Sequence, residues 1–174
     1  MKEIMNAAEI NRALTRISHE IIENNKGTSG LIILGVKTRG VPLAERIVQK
    51  INDIESVTVP LGALDITFYR DDLVTKSEQP TINETLRMNV ENKTVIVVDD
   101  VIYTGRTCRA ALDAILDAGR AEKIQFVALV DRGHRELPLT PNYIGKNVPT
   151  SNEEVVHVRL QEIDGIDQVI LTVR

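Results

Sequence analysis

Residues 95–107, VIVVDDVIYTGRT, bring two kinds of chemistry together: the adjacent carboxylates Asp99 and Asp100 after four apolar residues, and Thr104-Gly105-Arg106-Thr107 shortly after. A TGRT run that opens a helix gathers unpaired backbone N–H groups, two hydroxyls and the positive end of a helix dipole, a combination that attracts phosphate. Carboxylates beside a phosphate would be repelled unless they met something else. Vicinal sugar hydroxyls donate hydrogen bonds to carboxylates, and a hydrated Mg²⁺ is a second partner for such oxygens. The ordered set therefore fits a ribose that bears a phosphate. Read singly, each residue could merely finish a strand or cap a helix.

Two other phosphate motifs are missing from the sequence. No G-x-x-x-x-G-K-[ST] occurs and no G-x-G-x-x-G follows a strand, which counts against nucleoside triphosphate hydrolysis and dinucleotide binding.

The elements that must position these groups alternate between strand and helix. NAAEINRALTRISHEIIENN carries Ile10, Leu14, Ile17 and Ile21 at helical spacing, with Asn6 and Glu9 placed as a capping pair. LIILGV, TVIVVDDV and KIQFVALVD are apolar runs of strand length, and VPLAERIVQKI and TGRTCRAALDAILDAG, the latter ending at Gly119, are helical patterns. Buried strands separated by helices predict an α/β fold with a central parallel sheet, in which ligands sit beyond the carboxyl ends of the strands. VTVPLGALDITFYRDDL reads as a strand with a polar extension, and TKSEQPTINETLRMNVENK as a long mobile loop. The tail EVVHVRLQEIDGIDQVILTV predicts two antiparallel strands joined around Asp164-Gly165.

Composition sets the outer bounds. With 174 residues, 43% of them hydrophobic and 26% charged, one domain spanning 1–174 is expected. A single Cys108 excludes a disulfide framework within the chain and a multi-cysteine zinc site. The N-terminal MKEIMNAAEINRALTR has neither a signal-peptide apolar stretch nor a membrane-spanning run, so a cytoplasmic protein without a membrane partner is expected. A net charge of -4 disfavours indiscriminate attraction to nucleic acid but permits a local basic patch.

VIVVDDVIYTGRT resembles the phosphoribosyl-pyrophosphate signature of type I phosphoribosyltransferases. GVKTRGVPLA, LDITFYRDDL, VDDVIYTGRTCRAALDA, LVDRGHRELP and IGKNVPTS extend the similarity over nearly the whole chain, to the bacterial pyrimidine operon attenuation regulators that are also uracil phosphoribosyltransferases. The resemblance implies a type I phosphoribosyltransferase fold, a parallel sheet flanked by helices under a small hood built from N- and C-terminal segments. It implies that Asp99 and Asp100 hold the ribose hydroxyls, directly or through Mg²⁺ and water, while Thr104, Gly105, Arg106 and Thr107 surround the 5′-phosphate and Tyr103 belongs to the same nucleotide-binding stretch. Lys37, Thr38, Arg39 and Gly40 would bind pyrophosphate, in a loop that carries a non-proline cis peptide in the family. Arg39 and Arg70 would stabilise the leaving group, with Mg²⁺ as cofactor, and the segment from about Asp71 to Thr85 would close over the site.

The substrates implied are phosphoribosyl pyrophosphate and uracil, with UMP or UTP as regulatory ligands. Purine-salvage relatives have Asp where this chain has Tyr103, which favours a pyrimidine. Uracil contacts are placed on Asp131, Arg132, Val155 and Val156. On the first helix, Arg12, Arg16 and His19 share a face with Thr15 alongside. By itself that pattern is equally a solvated face. The resemblance makes it an RNA surface for a leader-transcript hairpin, joined by Arg135 and Lys146, and implies a homodimer or larger homo-oligomer. The alternative is a phosphoribosyltransferase for another base with no RNA role.

Overall fold

The capping pair at Asn6 and Glu9 sets the start of the first helix. Asn6 Oδ1 accepts the Glu9 N–H at 2.9 Å and Glu9 Oε2 accepts the Asn6 N–H at 2.8 Å, so two otherwise orphaned donors are satisfied together. In this computed structural model, which describes residues 1–69 and 88–174, the helix (α1) runs Ala7–Asn24 and follows a short strand β1, Lys2–Met5. The order continues with β2 (Leu31–Val36), α2 (Gly40–Glu55), β3 (Leu61–Leu64), a 3-10 turn (Thr67–Tyr69), β4 (Thr94–Ile102), α3 (Arg106–Ala118), β5 (Lys123–Asp131), β6 (Tyr143–Asn147), β7 (Glu154–Arg159), α4 (Gln161–Asp164) and β8 (Gln168–Val173).

Five strands form a parallel sheet in the order β3-β2-β4-β5-β6. Alternate residues of its central strands divide the core, as a two-residue period requires. Leu31, Ile33, Ile96, Val98, Val127 and Leu129 belong to the cluster under α1 and α2, whereas Ile32, Leu34, Val95, Val97, Phe126 and Ala128 belong to the cluster with α3. Each fully buried Ile or Leu contributes about 1.5–3 kcal/mol relative to exposure. Burial on both faces explains why these strands are continuously apolar. The chain passes from β2 through α2 to β3 on one side, and β4 pairs on the other, so the order reverses between β2 and β4. That reversal opens a crevice at their carboxyl ends.

The second sheet, antiparallel and ordered β1-β8-β7, forms the hood from the two ends of the chain. It contains the expected hairpin, with α4 rather than a tight turn between its strands.

Three details depart from the sequence reading. The strand expected over VTVPLGALDITFYRDDL is confined to Leu61–Leu64. Pro60 has no N–H to continue the ladder, although its carbonyl still accepts from Ile33. Strands β1 and β6 add to the two sheets without having been anticipated. Of the long loop expected over TKSEQPTINETLRMNVENK, residues 75–87 lie outside the described residues. Among the described residues no helix is long and apolar enough to cross a membrane.

Candidate active site

The crevice holds a cavity of about 550 Å³ lined by Val36, Lys37, Thr38, Arg39, Asp65, Ile66, Thr67, Asp99, Asp100, Val101 and Thr107. Its floor is the end of β4. Asp99 is buried, and its Oδ1 accepts the Asp100 N–H at 2.9 Å; Asp100 Oδ1 accepts the Val101 N–H at 2.8 Å. Each carboxylate is thus oriented by the next peptide of its own strand. Both offer carboxylate oxygens, which suit hydroxyl groups and hard cations.

The loop Lys37–Gly40 forms one wall. Its Lys37–Thr38 peptide bond is cis, as the resemblance implied. Gly40 packs so closely on the Val98 carbonyl that an added Cβ would collide with it. The absent side chain lets the start of α2 lie directly against β4 and carries Arg39 to the cavity. Arg39 Nη2 donates to Asp164 Oδ1 at 2.8 Å, and its Nε is buried without a hydrogen-bond partner among the described residues. A guanidinium with an unsatisfied buried donor is suited to bind an anion.

The loop Tyr103–Gly105 and the first turn of α3 follow β4; Tyr103, Thr104, Gly105 and Arg106 are not among the residues lining this cavity. Gly105 has φ +92° and stands at the N-cap, and Thr104 Oγ1 accepts the Arg106 N–H at 3.3 Å. Thr107 reaches the cavity wall. Cys108, next along the helix, is buried, and burial followed by the neighbouring Asp99 charge pushes its thiol up to about 11. It is therefore a packing residue.

A second cavity of about 300 Å³ adjoins the first and shares Arg39 and Asp100 with it; its other walls are Val156, His157, Val158, Arg159 and Asp164. Val156 is thus brought to the site. Val155 is the neighbouring strand residue, and successive strand side chains point to opposite faces, so the two expected uracil contacts divide.

Asp131 and Arg132, the other two expected uracil contacts, are engaged with neighbouring residues. Asp131 forms a bidentate pair with Arg135, at 2.7 Å to Nη2 and 3.1 Å to Nη1. Burial opposes the charge on Asp131, but Arg135 and the Gly133 N–H outweigh it and hold the carboxyl below its ordinary range. Arg132 is buried, with Cζ 4.0 Å from the Tyr103 ring centroid, and His134 meets the same ring edge-on at 5.9 Å. Arg132 and His134 thus pack on the Tyr103 ring, and Asp131, Arg132 and His134 line neither cavity.

Of the residues expected to meet RNA, Arg12, Arg16 and His19 are exposed on α1, and Thr15 is half-buried with its hydroxyl bonded back to the Asn11 carbonyl. Arg16 pairs with Glu20 and donates to the carbonyls of Ile144 and Gly145 at 3.1 and 2.7 Å. Lys146, the next residue of β6, is exposed and donates to the Ile4 carbonyl. The fold thus brings Lys146 beside Arg16. Arg135 points elsewhere, toward Asp131 and the Tyr103 carbonyl.

Sequence reasoning missed Asp65, Thr67, Arg159 and Asp164. Asp65 Oδ1 accepts both the hydroxyl and the N–H of Thr67, which hold its carboxyl below the usual range. LDITFY offered an acid and a hydroxyl two residues apart, a turn signal, but nothing in the spacing placed them in the crevice. Arg70 and the lid proposed for Asp71 to Thr85 lie outside the described residues. Among the described residues no group of three or more His, Cys, Asp or Glu side chains could hold a metal alone.

Comparison with known proteins gives a consistent pattern. The model of the phosphoribosyl transferase domain family matches residues 1–163. The bifunctional protein PyrR of Pelotomaculum thermopropionicum is 59% identical over 170 residues, covering 97% of this chain and 94% of that protein. The protein of the same name from Deinococcus radiodurans is 59% identical over 169 residues, covering 97% and 92%. The hypoxanthine phosphoribosyltransferase of Trypanosoma cruzi superposes with a TM-score of 0.74 at 16% identity, over 98% of this chain and 95% of that one. A purine phosphoribosyltransferase from Pyrococcus horikoshii gives 0.64 at 21%, over 86% and 89%. At such identities the two structures speak for the fold.

Proposed function

The chain belongs to the phosphoribosyl transferase family, and from that premise we propose that it transfers phosphoribosyl from phosphoribosyl pyrophosphate to uracil, giving UMP and pyrophosphate. We read it as one phosphoribosyltransferase-like domain that also binds a leader-transcript hairpin under control of UMP or UTP. The observation that carries the catalytic reading is the junction of the two cavities: Arg39 and Asp100 border both, with Asp99 and Thr107 on the larger side and Val156 on the smaller. A phosphorylated sugar with a pyrophosphate leaving group fits the larger cavity, and a flat base fits the smaller.

In this arrangement N1 of uracil bonds to the ribose C1 as the C1–oxygen bond to pyrophosphate breaks, the N1 proton passing to the departing pyrophosphate or to solvent, and positive charge develops on the sugar ring. Asp99 and Asp100 hold the ribose diol and face that charge. Arg39, with Lys37 and the backbone of Thr38 and Gly40, receives the negative charge that accumulates on the leaving group. Thr104 to Thr107 hold the 5′-phosphate and so fix the sugar relative to the base. The carboxylates of Asp99 and Asp100 suit Mg²⁺ held through water or substrate oxygens. Bound there, the cation would neutralise pyrophosphate charge.

For RNA, the meeting of Arg12, Arg16, His19 and Lys146 at the edge shared by α1 and β6 supports a phosphate-contacting surface. Two Phe, three Tyr and no Trp in the chain leave little for base stacking, so recognition rests on charge and shape. A cytoplasmic homo-oligomer presenting paired copies of this face fits a folded transcript. The alternative, transfer to another base without an RNA role, is separated by one experiment. The protein is incubated with Mg²⁺, phosphoribosyl pyrophosphate and each nucleobase in turn, then titrated with the hairpin in a gel shift with and without UMP. Turnover with uracil and tighter RNA binding with UMP are expected. Turnover only with a purine, or RNA affinity indifferent to UMP, would remove the corresponding half of the reading.

A further inference from the structure

In the Tyr103–Gly105 turn Gly105 adopts a left-handed conformation, its carbonyl accepts the Arg109 N–H of α3 at 2.9 Å, and the Thr104 hydroxyl bond to Arg106 is long, so the Tyr103 and Thr104 carbonyls look outside the turn for donors. These come from the segment after β5. Arg135 Nη1 donates to the Tyr103 carbonyl at 2.9 Å, and the N–H groups of Glu136 and Leu137 donate to the Thr104 carbonyl at 2.8 and 3.1 Å. In a trans peptide the carbonyl of one residue and the N–H of the next point in opposite directions. Holding the Tyr103 and Thr104 carbonyls on one side therefore turns the Thr104 and Gly105 N–H groups to the other.

Arg135 is the part of this brace that reaches rigid structure. Its fork grips Asp131 at the end of β5 in the bidentate pair described above, and Nε donates to the Leu139 carbonyl at 2.7 Å. The side chains of Arg135 and Asp131 are only 21% and 12% exposed. A Cβ added at Gly105 would lie 3.3 Å from Arg135 Cδ, so the arginine stem also packs under the turn. A lysine could not serve all these acceptors, being a point charge without the planar fork.

We propose that Arg135 is a positioning residue that holds the 5′-phosphate loop in its binding geometry, acting through the Tyr103 carbonyl and Gly105 rather than by touching substrate or RNA. The proposal rests on the phosphoribosyltransferase reading and gives Arg135 a task different from the RNA contact that the sequence suggested. It predicts a selective defect, because UMP carries the 5′-phosphate whereas pyrophosphate binds through the Lys37–Gly40 loop.

The test is calorimetric titration of wild type, Arg135→Lys, Arg135→Gln and Asp131→Asn with UMP and, separately, with Mg²⁺ and pyrophosphate. Both Arg135 variants should raise the UMP dissociation constant about tenfold, and Asp131→Asn about threefold, with the pyrophosphate constant within about twofold of wild type. KM for phosphoribosyl pyrophosphate should rise in parallel while kcat changes less. Unchanged UMP affinity in the variants, an equal loss for both ligands, or a loss of hairpin binding alone would overturn the proposal. If Arg135→Gln does not fold, Arg135→Lys and Asp131→Asn carry the same comparison. A wild-type protein that bound neither ligand would overturn the phosphoribosyltransferase reading itself, an outcome visible before any variant is compared.

Discussion

Arg39 Nη2 lies 2.8 Å from Asp164 Oδ1, joining the loop that opens α2 to the turn that closes the hood. The carboxylate that holds the arginine is itself fixed, since Asp164 Oδ2 accepts the Leu160 N–H at 2.8 Å. Seven residues along α2, Arg46 grips Glu162 at 2.6 Å and Asp167 at 2.7 Å. One helix thus clasps the hood by two arginines, and the first of them also borders both cavities.

Arg39→Ala should therefore act on the leaving group. We expect kcat to fall about a hundredfold and pyrophosphate inhibition to weaken at least about tenfold, as for loss of a preorganised donor to developing charge. Product-inhibition kinetics check both.

Arg46→Ala should act on stability instead. Leaving two partly sheltered carboxylates unpaired should cost about 1–2 kcal/mol at neutral pH, measured by denaturant unfolding. Arg46 hydrogen bonding is the main cause that lowers the Glu162 carboxyl; at Asp167 burial is the largest single effect and opposes the charge, but the Arg46 hydrogen bond, the Gln161 N–H and the Arg46 charge together leave it lowered. A depressed carboxyl contributes stability above its unfolded value, about 4, and loses it as pH falls through the folded value. The difference between wild type and Arg46→Ala should accordingly be full at pH 6–7 and shrink as the pH falls below about 4 and through the lowered folded values.

Val156→Phe should fill the smaller cavity. We expect KM for uracil to rise about tenfold or more, with phosphoribosyl pyrophosphate affinity little changed, since Val156 lines only the smaller of the two cavities. Equal losses for both substrates would place the base elsewhere.

Much of this was legible before the fold was known, for reasons that differ by element. Strands β2, β4 and β5 announce themselves because both of their faces are covered, so each carries an unbroken apolar run of at least four residues. Strand β6, YIGKN, is short, partly exposed and preceded by Pro138 and Pro141, and carries no such pattern. The acids and the TGRT loop are contiguous, so one stretch discloses both ends of one ligand. Asp164, Val156 and Arg159 reach Arg39 and Asp100 only because the hood folds over β4, and no local spacing reports that. The pairing of Asp131 with Arg135 was within reach, four residues apart, yet the segment was read as two separate sites.

Arg16→Ala should weaken hairpin binding and lower the slope of log affinity against log salt by about 1, the signature of a lost phosphate contact. Losing the bonds to Ile144 and Gly145 should also cost about 1 kcal/mol of stability. An unchanged salt slope would mean that Arg16 serves only to fasten α1 to β6.

The most direct measurement is UMP formation from uracil, phosphoribosyl pyrophosphate and Mg²⁺ by wild type and by the double variant Asp99→Asn, Asp100→Asn. The account predicts turnover by wild type and a loss of at least about a hundredfold in kcat/KM in a variant that still unfolds cooperatively. Wild-type rates in the folded double variant would contradict it.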